Sequence, residues 1–75
     1  MANIDLDCRG MNCPMPIVRI SQALKTIPIG DTITVSADDP SFQADLEAWV
    51  RMTGQTLRSL STEGTARTAI IERSR

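Results

Sequence analysis

The chain contains four prolines, and each stands where a periodic run of apolar residues begins or ends. Proline cannot sit inside a helix without removing a hydrogen bond, but it suits the first helical turn and the residues beyond a helix end. Cys13-Pro14-Met15-Pro16 precedes Ile17, Ile20, Leu24 and Ile27, a stripe spaced i, i+3, i+7 and i+10. That spacing predicts an amphipathic helix beginning at Cys13-Pro14, with Pro14 as its first residue, and stopped by Pro28 and Gly30. Pro40 marks a second start: Asp39 is expected as N-cap and Pro40 as first residue, with Phe42, Leu46, Trp49 and Val50 on the buried side. Gly54 is expected to close that helix.

The remaining segments have the period of strands. Ile4, Leu6 and Cys8 alternate with Asp5 and Asp7, and Ile33, Val35 and Ala37 alternate with Thr32, Thr34 and Ser36. Residues 55–61 and 66–73 read as two further strands around a turn at Glu63-Gly64. Leu57 and Leu60 have opposite parity, which predicts a bulge between them. The order is βαβαββ. Polar residues at alternate strand positions leave one sheet face to solvent and give the other to the helices. The expected fold is therefore α/β (α+β): a two-layer sandwich of a mixed four-stranded sheet with both helices on one face. A right-handed crossover should make the first two strands parallel. Residues 1–75 are expected to form one domain, with a total stability of about 4–11 kcal/mol.

Several function classes are disfavoured. A net charge of −1 and two aromatic residues, Phe42 and Trp49, provide neither the basic stripe nor the stacking surface of a nucleic-acid binder. No apolar run approaches the ~18 residues of a membrane span. The opening MANIDLDCRG lacks the basic start and apolar core of a signal peptide, so a cytoplasmic location is expected. Thiols stay reduced there, and Cys8 and Cys13 are read first as thiols. Histidine is absent, which removes Cys-His dyads and histidine metal ligands. Two thiols alone cannot fill a tetrahedral zinc shell, so no metal is assigned.

Cys13 is the candidate reactive residue. A helix N-terminus offers positive dipole potential and unpaired N–H groups, both of which favour thiolate. Pro14 and Pro16 remove two of those donors, leaving the Met15 amide as the expected partner of the sulfur and a moderately lowered pKa. The prolines also stiffen the helix start and aim the residue outward. The plainer reading is a small buried hydrophobe, the usual fate of a free cysteine. Gly10 lets the preceding loop turn, and Arg9 in that loop has three readings: tuning the sulfur, docking partners, or a solvated charge. Cys8 shares parity with Ile4 and Leu6 and should face the core. A Cys8–Cys13 disulfide is open only under oxidation. Asp39 is read as a cap and Asp38 as a solvated strand end, rather than as a catalytic dyad. Met11 and Met15 flank Cys13, either as adaptable surface or as ordinary packing.

In order along the chain, Asp7-x-Arg9-Gly10, Cys13-Pro14-Met15-Pro16, Gly30-Asp31, Ala37-Asp38-Asp39-Pro40 and Gly54 resemble the TusA-like (SirA-like, YeeD-like) sulfur-carrier family. The resemblance spans nearly the whole chain and implies a βαβαββ sandwich. It further implies that Cys13 accepts sulfane sulfur as a persulfide from a cysteine desulfurase or rhodanese-like donor. Cys13 would pass it to a cysteine of an acceptor, often DsrE-like, without a cofactor and without independent turnover. Routes served by such carriers include tRNA thiolation, molybdenum-cofactor biosynthesis and dissimilatory sulfur oxidation. Two departures stand out: Cys8 is a thiol many members lack, and Gln55 replaces a histidine found in some. Two other functions stay open on the residues alone, a redox dithiol using Cys8 and Cys13 and a regulatory interaction module.

Overall fold

The computed structural model describes residues 3–75. Its elements follow the expected order: β1 (Asn3–Asp7), α1 (Met15–Leu24), β2 (Thr32–Ala37), α2 (Phe42–Thr53), β3 (Thr56–Glu63) and β4 (Ala66–Glu72). The sheet runs β1-β2-β4-β3. β1 and β2 are parallel, Ile4 beside Ile33 and Leu6 beside Val35. β4 lies antiparallel to both β2 and β3. The parallel ladder continues one residue past β1, because the Cys8 amide donates to the Ser36 carbonyl at 2.7 Å.

Alternation decides which face is buried. Ile33, Val35 and Ala37 of β2 and Ala69 and Ile71 of β4 point under the helices and are closed to solvent. Ile20 and Leu24 of α1 and Phe42 and Leu46 of α2 complete the core, with Trp49 and Val50 packed against it in part. Fully burying a side chain of this size contributes about 1.5–3 kcal/mol. The bulge falls at the expected place: Leu57 pairs with Ile71 and Ser59 with Ile70, leaving Arg58 as the extra residue.

Both helices start later than the prolines suggested. Pro14 is the N-cap of α1 rather than its first residue, and Pro16 sits in the first turn. α2 starts at Phe42 with Ser41 as N-cap. The Asp39-Pro40 turn precedes the helix, and Asp39 closes it by accepting the Ser41 hydroxyl at 2.8 Å and the Phe42 amide on its carbonyl at 3.0 Å. The local chemistry is that of a cap, displaced by two residues. α1 ends at Leu24, before Pro28, yet Ile27 is buried. Tightened turns, with the Thr26 amide on the Ala23 carbonyl at 3.0 Å, carry Ile27 inward. Gly54 closes α2 in the left-handed conformation, φ 75°, as expected. No helix among the described residues is long and apolar enough to cross a membrane.

Candidate functional site

Parallel strands β1 and β2 are each followed by a helix, so the N-termini of α1 and α2 emerge at the same sheet edge, beyond the C-terminal ends of the two strands. Cys13 precedes α1 there and is exposed, whereas Cys8 at the end of the β1 ladder is fully buried. Both are free thiols. The loop between them is held from the far side: the Gly10 amide donates to Asp38 Oδ1 at 2.9 Å, with Gly10 at φ 82°. A residue with a Cβ would be strained in that conformation. Asp38, expected in solvent, is half-buried and fixes the loop that presents Cys13. The Cys13–Pro14 peptide is cis.

The sulfur's partner is not the expected one. The Met15 amide donates to the Asn12 carbonyl at 2.8 Å, which closes the turn before α1 and takes that donor away from the sulfur. Instead the Cys13 thiol donates to Asp45 Oδ2 at 2.8 Å. Asp45 lies in the first turn of α2, 32 positions along the chain. This contact reverses the expected electrostatics. The hydrogen bond to the Asp45 carboxylate is the largest influence and pushes the Cys13 thiol up. Partial desolvation and the charges of Asp45 and Asp39 act the same way, while the nearby Ser41 side chain opposes them. An α-helix dipole adds about half a charge; a carboxylate in direct contact adds a full negative one. The thiol is the resting form.

Arg9 does not reach the sulfur. Its guanidinium grips Asp7, with Nε to Oδ1 at 2.9 Å and Nη2 to Oδ2 at 3.0 Å. These hydrogen bonds hold the Asp7 carboxyl down at about 2. Tuning of Cys13 by Arg9 is thereby removed from its three readings. Cys8 is also pushed up, here chiefly by burial. Met15 is 46% exposed and flanks the site, and Met11 packs partly into the core, so the two methionines divide between the two readings.

Cys13, Asp39 and Asp45 place their ligand atoms within 4.8 Å of one another. This trio joins one thiol to two carboxylates with no fourth ligand side chain among the described residues, a poor match to the four-ligand nitrogen and sulfur shell zinc prefers. The short thiol–carboxylate hydrogen bond accounts for the arrangement without a metal. Asp45 and Ser41 are the residues sequence reading missed. The available signal was topological: first-turn residues of two helices that follow adjacent parallel strands must meet.

The chain is similar in sequence and in fold to known proteins. The family described as Sulfurtransferase TusA matches residues 4–73. YrkF of Bacillus subtilis is 40% identical over 63 residues, 84% of this chain, which spans 34% of that relative's length. The sulfur carrier protein TusA of Allochromatium vinosum is 38% identical over 66 residues, 85% of this chain and 87% of that protein. A crystal structure of a SirA-like protein from Desulfitobacterium hafniense superposes with a TM-score of 0.81, covering 96% of this chain and 99% of that one. Its 23% identity speaks to the fold alone. By sequence, the chain belongs to the TusA family of sulfur carriers.

Proposed function

We propose that Cys13 carries sulfane sulfur as a persulfide and passes it between partner proteins in the cytoplasm. One observation carries the assignment: of the two thiols, Cys13 alone is exposed, at the rigid proline-flanked start of α1. In loading, the Cys13 sulfur attacks the outer sulfur of a donor persulfide. A new S–S bond forms, the donor's own S–S bond breaks, and the donor departs as a thiol. In unloading, an acceptor thiolate attacks the outer sulfur of Cys13-S-SH and Cys13 is the leaving group. Both steps are exchanges of the thiol–disulfide kind, governed by thiolate availability, leaving-group pKa and access. No cofactor enters. The donor is a cysteine desulfurase or rhodanese-like protein and the acceptor a DsrE-like or similar protein, each supplying the rest of its own active site. The redox-dithiol alternative requires an accessible Cys8, and full burial of that residue weighs against it.

Incubation with a cysteine desulfurase and cysteine tests the reading. Intact-mass spectrometry should show one added sulfur atom on the wild type and on Cys8→Ser, and none on Cys13→Ser. Addition that survives Cys13→Ser would contradict the assignment.

A further inference from the structure

We propose that Asp45 is the proton partner of Cys13, taking the thiol proton as sulfur arrives and delivering a proton to the cysteine sulfur as sulfur leaves. This rests on Cys13 being the persulfide carrier and adds a second catalytic residue to it.

The geometry is that of a proton-transfer pair. Asp45 Oδ2 lies 2.8 Å from the Cys13 sulfur, within the 2.6–3.2 Å reach of a general base. Asp45 stands next to Leu46, which is closed to solvent, on a helix whose Phe42 is also buried, so its carboxylate is held by a packed element rather than a loop. The alternatives at the sulfur are few. The chain has no histidine. Asp39 is engaged by the Ser41 hydroxyl at 2.8 Å. On the β1 side, Arg9 is paired with Asp7 at 2.9 Å. Asp45 is the carboxylate that meets the thiol.

A carboxylate is a much weaker base than a thiolate, so the proton rests on sulfur until an electrophile arrives. The resting thiol is then a poor target for adventitious alkylation or oxidation, which need thiolate. When a donor persulfide docks, formation of the new S–S bond acidifies the Cys13 sulfur and the proton moves to Oδ2. The balance is Cys13-SH plus R-S-SH giving Cys13-S-SH plus R-SH; the donor's inner sulfur keeps the electron pair of the broken bond and takes the proton that Asp45 received from Cys13. In unloading, Asp45 takes the proton of the acceptor thiol as that sulfur attacks and passes it to the Cys13 sulfur, which leaves with the electron pair. The oxidation level of the transferred sulfur is unchanged throughout, and no outside oxidant or reductant takes part.

The test compares two rates on the same proteins, wild type, Asp45→Asn and Asp45→Glu, each checked by circular dichroism. One is alkylation of Cys13 by iodoacetamide, which reads thiolate alone. The other is uptake of sulfur from glutathione persulfide, a small donor that brings no protein base, followed by mass spectrometry from mildly acidic to mildly basic pH. Removing the carboxylate should speed alkylation several-fold at neutral pH, because the thiolate is no longer opposed. It should slow sulfur uptake by about tenfold or more below the thiol pKa, the low end of general-base effects. Asp45→Glu should recover part of the uptake. Opposite signs are the signature. If both rates rise together, Asp45 is only an electrostatic brake and the proposal fails; it fails equally if neither changes. Should Asp45→Asn not fold, the wild-type profiles decide: uptake less steeply pH-dependent than alkylation supports the proton role, and identical profiles overturn it. Absence of sulfur on wild-type Cys13 would instead overturn the carrier assignment itself.

Discussion

Cys8 and Cys13 lie five positions apart in the chain, and both thiols are held protonated above the ordinary cysteine range, yet for unlike reasons. Cys8 ends a strand, faces the core and is shielded by burial. Cys13 opens onto solvent and is held by one carboxylate from another helix. A shift caused by burial comes with loss of access, so Cys8 is protonated and unreachable. A shift caused by a single hydrogen bond leaves access intact and can be undone by moving one proton. The direction of a pKa shift thus says little about reactivity until its cause is named.

The largest expected contrast is in labelling. In the native protein, Cys13 should react with a thiol reagent without any unfolding, at a rate set by its thiolate fraction. Cys8 should react only through unfolding that costs about 4–11 kcal/mol, and so be slower by on the order of a thousandfold or more. Comparable rates for the two cysteines would erase the contrast. Stability separates them next. Cys8→Ser places a hydroxyl in the core and should cost about 1–3 kcal/mol in denaturant unfolding, whereas Cys13→Ser at the surface should stay within about 0.5 kcal/mol. A smaller effect sharpens the electrostatic half. The folded chain keeps both thiols protonated to higher pH than the unfolded chain does. The unfolded chain therefore loses protons first, and stability should decline as pH rises past about 8.5. Cys8→Ala should remove the buried thiol's share of that decline; an unchanged slope would show that burial does not set its titration. Smallest of all is Arg9→Ala. With its guanidinium committed to Asp7, the variant should change the Cys13 alkylation rate by less than about twofold, as an exposed and screened charge would. A larger change would return Arg9 to the site.

What the sequence made legible follows from period and punctuation. The alternation at Ile33, Val35 and Ala37 and the helical stripe at Ile20 and Leu24 each point to one buried face, and those faces meet in the core. The parity break between Leu57 and Leu60 marks a bulge that the register places between Leu57 and Ser59. Cys13 was readable as the exposed cysteine because prolines stiffen its helix start. Its electrostatics were not, for two reasons. Proline fixes a boundary only to within a residue or two, and a one-residue displacement of the α1 start commits the Met15 amide to Asn12 instead of the sulfur. The decisive contact also joins positions 32 apart, and no local pattern encodes such a pair. The helix dipole argued for a lowered pKa from one helix end; the residue that governs it sits on the other.

The most direct measurement is to load the wild-type chain with persulfide sulfur, alkylate it, digest it and locate the added sulfur by peptide mass spectrometry, then repeat after an excess of acceptor thiol. Persulfide confined to Cys13, with Cys8 unmodified and the label discharged by the acceptor, is the predicted result. Sulfur found on Cys8, or sulfur on Cys13 that no thiol can remove, would contradict the account.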